Sequence, residues 1–147
     1  MVENKSGEFI NLSDMSEEEK GHYHIYFDDS KEEIKRNFLK ENEKVNTIKI
    51  ILDHQAKLFA QMFYGFNNIS SINFKKFHRI DIANTSLMFS KCSSLREINL
   101  TNFKSNNVTN MHHMFFDNPS LKKLNLSNLD TNKVTDMNSL FYGNKSL

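Results

Sequence analysis

Ser94-Leu95-Arg96-Glu97-Ile98-Asn99-Leu100-Thr101-Asn102-Phe103 is followed, one 26-residue step later, by Ser120-Leu121-Lys122-Lys123-Leu124-Asn125-Leu126-Ser127-Asn128-Leu129. The match continues with Asn106-Asn107-Val108-Thr109-Asn110-Met111 over Asn132-Lys133-Val134-Thr135-Asp136-Met137. Between residues 94–119 and 120–145, eleven of the twenty-six positions are identical without a gap. The preceding residues fit the same frame. Ile69, Ile72, Phe74, Phe77, Ile82, Met88 and Phe89 fall on Leu95, Ile98, Leu100, Phe103, Val108, Met114 and Phe115. One frame earlier Met62-Phe63 matches Met88-Phe89, and Ile48 and Ile51 fall on Phe74 and Phe77, giving a divergent first coil. A fixed period of this length marks a stacked array, because no single unit can enclose its own apolar residues.

Each unit carries L-x-x-L-x-L-x-x-F. Its alternating part predicts a short strand with one face buried. Met111, Met114 and Phe115 lie at one-turn spacing and predict a short helix or 3₁₀ turn on the opposite wall. Stacking then places Phe63, Phe89, Phe115 and Phe141 in one row, and Met62, Met88, Met114 and Leu140 in another. The expected fold class is an α/β repeat solenoid. It is a leucine-rich-repeat-like right-handed coil, with short parallel strands on one face and short helical turns opposite, over residues 58–147.

Upstream of the array the pattern changes. Residues 1–20 are polar, with the acidic run Glu17-Glu18-Glu19, and read as a flexible leader with little fixed structure. Residues 21–57 read as a small α+β N-terminal cap of strand, helix and strand. His22 to Phe27 is rich in aromatic and β-compatible residues, and Thr47 to Leu52 likewise. Between them Ser30 and Glu33 have capping-box spacing, and Ile34 and Phe38 would give the helix an apolar face as far as Lys44. A cap has a clear purpose, since the first coil of a stack otherwise exposes apolar residues and unpaired backbone groups.

The repeat resembles the BspA-type leucine-rich-repeat family, whose units look like N-V-T-x-M-x-x-M-F-x-x-C-x-S-L-x-x-L-x-L-S-x-F. The matching residues here are Asn107-Val108-Thr109, Met111, Met114-Phe115, Ser120-Leu121, Leu124 and Leu126-Ser127, with Cys92-x-Ser94-Leu95 supplying the cysteine once. The resemblance covers roughly residues 58–147. It implies a solenoid of a kind that acts in adhesion or protein recognition, often in surface proteins.

Composition narrows the chemistry. The chain has 147 residues and a formal net charge of +1, so no bulk attraction to nucleic acid is implied. Its single cysteine, Cys92, cannot form an intramolecular disulfide. Cys92 aligns with Phe66, Asn118 and Asn144, which points to a turn or an inward row rather than a nucleophile. His112-His113 diverge by ~100° on a helical turn, a poor geometry for metal ligands. His22 and His24 share one strand face and are better placed, yet no carboxylate or cysteine cluster accompanies either pair. Only 4 glycines are present, and no phosphate loop, nucleophile elbow or zinc signature occurs. No catalytic, cofactor or metal residue is therefore assigned, and no enzyme activity is expected.

The outward strand positions carry the binding expectation. Asn73, Asn99 and Asn125 occupy one such position in successive coils, with Lys75, Thr101 and Ser127 two residues on. They form either a polar recognition strip or an asparagine ladder whose amides bond to each other along the stack. Arg96, Glu97, Lys122 and Lys123 vary between coils and are the better recognition candidates, together with Ser70, Ser71, Lys76, Asn102 and Asn128. Four strands of ~17–20 Å at ~4.8 Å spacing give about 300–400 Å². That is less than the ~800 Å² per partner of a standard interface.

With 20 asparagines, eight N-x-S/T sequons arise, at Asn4, Asn11, Asn68, Asn84, Asn99, Asn107, Asn125 and Asn144; chance and repeat grammar together account for them.

The expected function is a non-catalytic protein–protein interaction or scaffold module with a protein partner and no nucleic acid. The alternatives are a fragment of a cell-surface adhesin and a recognition arm fused to a catalytic domain. No signal peptide or membrane span is visible, which makes the cytoplasm the default location. Surface display is the alternative if a removed leader precedes Met1. The sequence breaks off at Ser146-Leu147, at the opening of another coil. This suggests truncation from a longer array, or self-association through an uncapped C-terminal edge.

Overall fold

A computed structural model describes residues 7–53, 59–75, 77 and 81–147. The elements in chain order are β1 (Gly7–Glu8), α1 (Glu17–Lys20), β2 (Tyr23–Phe27), β3 (Phe38–Leu39), β4 (Ile48–Leu52), β5 (Ser71–Asn73), β6 (Glu97–Asn99) and β7 (Lys123–Asn125). They form an antiparallel β1-β3 pair, an antiparallel β2-β4 pair and a parallel sheet in the order β5-β6-β7.

The parallel sheet follows the sequence period. Ile72 pairs with Ile98 and Ile98 with Leu124, an offset of 26 residues at each step. Isolated bridges from Asn84 to Asn110 and from Asn110 to Asp136 keep the same offset on a second side of the coil. Between these walls lie Leu95, Leu100, Phe103, Val108, Met111, Met114 and Phe115, each with no solvent exposure. Phe63, Phe89, Phe115 and Phe141 stack in a file, their centroids 5.6, 5.7 and 5.6 Å apart and their planes within 9°. Such offset stacks add ~0.5–1.5 kcal/mol per pair beyond burial.

The wall opposite the sheet is built from β-turns, not the helical turn that the Met111/Met114/Phe115 spacing suggests. Met114 N–H bonds Met111 C=O and Phe116 N–H bonds His113 C=O, each an i to i+3 turn. The alternate amides are used between coils. Thr85, Leu87, Phe89 and Lys91 donate to Asn110, His112, Met114 and Phe116, and Met111, His113, Phe115 and Asp117 donate to Asp136, Asn138, Leu140 and Tyr142. A helix would spend those donors within its own segment; the turns free them to bond the next coil. The geometry needs left-handed backbone at Gln61, Leu87, His113 and Ser139, and again at Gly65, Lys91, Asp117 and Gly143. That conformation costs an ordinary residue about 1–2 kcal/mol, and the inter-coil bonds at each boundary offset it. At Gly143 glycine has a second reason, since a Cβ would lie 3.0 Å from Asp117 Cα.

Residues 7–20 of the segment read as a flexible leader belong to the cap of this array. Phe9 and Ile10 are fully buried, and Leu12 and Met15 nearly so. Asn11 N–H donates to Met62 C=O, as Phe63 N–H does for Met88 C=O one coil on. Glu17–Lys20 form a short helix, closed by a capping box between Ser16 and Glu19. Ser30 and Glu33 have the same spacing and form no helix. Ile34 N–H bonds Ile25 C=O beside β2, and the Glu33 carboxylate goes to His24 and Lys35. The strand–helix–strand reading of residues 21–57 is therefore corrected. The two strands are present, but an extended segment and β3 lie between them. β4 pairs with β2 and not with β5, so Ile48 and Ile51 do not open a first parallel coil. The boundary between cap and array, residues 54–58, lies outside the described residues.

Burial falls toward the last coil. Met137 is 47% exposed and Phe141 42%, whereas Met111 and Phe115 are at 0%.

Candidate functional site: the strand face

The outward residues of β5, β6 and β7 stand in rows: Ser71, Glu97 and Lys123 in one, Asn73, Asn99 and Asn125 in the next. The β6-β7 part forms an open depression of about 460 Å³, lined by Glu97, Ile98, Asn99, Lys123, Leu124, Asn125 and Leu126. Of the predicted site residues, Glu97, Asn99, Lys123 and Asn125 thus meet in one place. Asn73 and Lys75 lie one strand away, and Arg96 and Lys122 sit at the bend before each strand, exposed but outside the depression. Lys76 lies outside the described residues. Lys123 Nζ is 3.8 Å from Glu97 Oε2, with both side chains more than half exposed. A pair this exposed contributes ~0–1 kcal/mol and fixes little.

Thr101 and Ser127 are engaged by the asparagines of their own strands. Asn99 Oδ1 accepts from Thr101 N–H at 3.0 Å and from its hydroxyl at 2.6 Å. Asn125 Oδ1 accepts from Ser127 N–H and hydroxyl at 3.0 and 2.8 Å. Each asparagine thereby closes an Asx turn that reverses the chain after its strand. The asparagine ladder differs from the expected amide-to-amide form. Asn125 Nδ2 donates to Thr101 Oγ1 at 3.0 Å, crossing to the previous coil through a hydroxyl. A second file crosses one step further on, with Asn102 Nδ2 bonding Lys75 C=O and Asn128 Nδ2 bonding Thr101 C=O.

The same geometry explains several sequons. Asn11 and Asn84 also accept from the backbone N–H two residues on. N-x-S/T is therefore turn grammar at four of the eight positions. Asn68 is buried and donates to Gly7 C=O, tying β1 to the array.

The groups with chemical potential are held elsewhere. Cys92 is 1% exposed, and its thiol donates to Phe63 C=O at 2.8 Å. Asn144 Nδ2 makes the equivalent bond to Phe115 C=O, and the Oδ1 atoms of Asn118 and Asn144 cap the N–H groups of Cys92 and Asn118. Burial pushes the Cys92 thiol up to about 12, so the nucleophilic thiolate is suppressed. His22 is bonded to Asp53 at 2.8 Å and His24 to Glu33 at 3.0 Å. The rings of His112 and His113 are tilted against each other with centroids 3.9 Å apart. Among the described residues no three His, Cys, Asp or Glu side chains are grouped to hold a metal. Nor is any helix there long and apolar enough to cross a membrane.

Sequence reading missed a second depression, of about 480 Å³, in the cap. Leu12, Lys20, Tyr23, Ile25, Ile34 and Arg36 are among its lining residues. It depends on burial of Phe9, Ile10, Leu12 and Met15 and on the Ile25–Ile34 bridge, and neither has a periodic signature. The guanidinium of Arg36 bonds Glu43, holding that carboxyl below the usual range, and lies over the rings of Phe27 and Phe38.

Residues 57–147 match a family described as Mycoplasma protein of unknown function, DUF285. No match was found among curated proteins. None was found among solved structures.

Proposed function

The chain belongs to the DUF285 family of Mycoplasma proteins of unknown function, and within it we propose that this protein is a non-catalytic protein-interaction module. We read the array as a leucine-rich-repeat-like solenoid of the BspA type that offers its strand face to a protein partner. The observation that carries this reading is the division of labour on that face. Structural roles fall on Asn99 and Asn125, while the neighbouring outward positions change from coil to coil as Ser71, Glu97 and Lys123. Constant residues serve stacking in a repeat array, and variable exposed ones are free to serve recognition. The one thiol, Cys92, is buried and plays a packing role in this reading.

Area sets the kind of interaction. Three three-residue strands at ~4.8 Å spacing and ~3.3 Å per residue offer only about 150 Å². A stable interface takes ~800 Å² per partner. The module therefore binds weakly or recruits its flanks.

Cross-linking the full chain to bound proteins tests this. Glu97→Trp fills the depression from an exposed position, whereas Lys145→Trp alters an exposed position outside it. The partner should be lost with the first substitution and kept with the second. A partner kept equally by both, or no partner captured by the unmodified chain, overturns the reading.

A further inference from the structure

Building on the reading of the strand face as an interaction surface, we propose that its partner is an extended acidic peptide segment, with carboxylates meeting a surface of N–H donors.

The Asx turns decide the polarity of this face. An asparagine side chain normally offers both a donor and an acceptor. Here the Oδ1 atoms of Asn99 and Asn125 each accept two bonds from the residue two positions on, and the protons of the Thr101 and Ser127 hydroxyls are spent in the same bonds. What remains to face a partner is the amide N–H. Asn125 directs one of its two N–H groups to Thr101 Oγ1. Asn99 has no such hydroxyl beneath it, because Lys75 occupies that position in the previous coil. The row is thus rich in donors.

Charge points the same way. Lys75, Arg96, Lys122 and Lys123 flank the row against Glu97 alone, which leaves three positive charges here out of a chain total of +1. Positive charge beside aligned N–H groups favours an anionic, acceptor-rich ligand and speeds its encounter. The outward positions 71, 73, 75, 97, 99, 101, 123, 125 and 127 include no aromatic residue. Nucleic-acid surfaces depend on such rings to stack bases, so a carboxylate peptide fits better than a polynucleotide.

Fluorescence anisotropy of the full chain with labelled peptides of alternating Asp and Ser, Asn and Ser, or Lys and Ser tests the proposal. The acidic peptide should bind tightest, and added salt should weaken it. Asn99→Asp is the decisive variant: aspartate still accepts from Thr101 and preserves the turn, but it loses the amide donor and adds a negative charge. Affinity for the acidic peptide should fall about tenfold or more, the size of one charge-assisted hydrogen bond, at unchanged melting temperature. Binding of the neutral peptide as tightly as the acidic one, or indifference to Asn99→Asp, overturns the proposal. A single-stranded oligonucleotide that outcompetes the acidic peptide overturns it too. If protein capture is still lost with Glu97→Trp while the acidic peptide shows no preference, the interaction reading stands and this one alone falls.

Discussion

Phe115→Ala probes the stack where it is most complete. The ring has no exposed surface and lies between Phe89 at 5.7 Å and Phe141 at 5.6 Å, nearly parallel to both. Removing a buried phenylalanine costs about 3–5 kcal/mol, the upper part applying where the cavity cannot collapse. Here two stacked neighbours lose a partner at once, and their backbones are fixed by inter-coil bonds on both sides of residue 115. The upper part of the range is therefore expected. Phe141→Ala is the internal comparison: that ring is 42% exposed and stacks on one described neighbour, so its loss should be roughly half as large. For a domain of this size, 1 kcal/mol moves Tm by about 2–4 °C, so Phe115→Ala should melt about 10 °C or more below the parent. Urea unfolding followed by far-UV circular dichroism gives both free energies from the midpoint and slope. Equal losses for the two variants, or an unchanged midpoint for Phe115→Ala, would refute the stacked register.

Cys92→Asn introduces the residue that the repeat uses at positions 118 and 144, so its stability should stay within about 1 kcal/mol of the parent. Cys92→Ala, which leaves Phe63 C=O without its thiol donor, should lose about 1–3 kcal/mol on the same urea curves. The native thiol should resist a disulfide reagent at pH 8 and react promptly only in denaturant; fast native labelling would contradict its raised pKa. That shift favours the protonated thiol in the folded state, so its contribution is present below the ordinary thiol range near 9 and is lost as pH climbs toward about 12. In acid the cap should loosen before the array. Lys35 and His24 lower the Glu33 carboxyl and Arg36 lowers that of Glu43, so their contributions are held above the ordinary carboxylate range and lost as pH falls through the folded values. Hydrogen exchange at low pH should show β2 and β4 opening ahead of β6, and the reverse order would contradict this. Thr101→Val, which removes the hydroxyl between Asn99 and Asn125, should cost about 1–2 kcal/mol in thermal melts with little change in secondary structure.

The amino-acid sequence by itself determined the period, the strand positions and the Phe and Met rows. Each coil meets the same neighbours, so each equivalent position faces the same packing demand, and that demand recurs in the letters every 26 residues. The outward Asn73, Asn99 and Asn125 were legible for the same reason. Only the tertiary structure decided the cap, because it is made once. The Ser30 and Glu33 pair satisfies a helix-start rule locally, yet Ile34 gains a bond to Ile25 beside β2, and Glu33 gains His24 and Lys35. Phe9 and Ile10 sit in a polar context that hides their burial, Phe9 lying edge-on to Phe27 of β2. The turn wall was equally hidden. One row of its left-handed positions is filled by Gln61, Leu87, His113 and Ser139, residues with no shared preference for that conformation. What holds them is the next coil's row of carbonyl groups, a partner that lies about 25 residues away in sequence and is adjacent only after the coils have stacked.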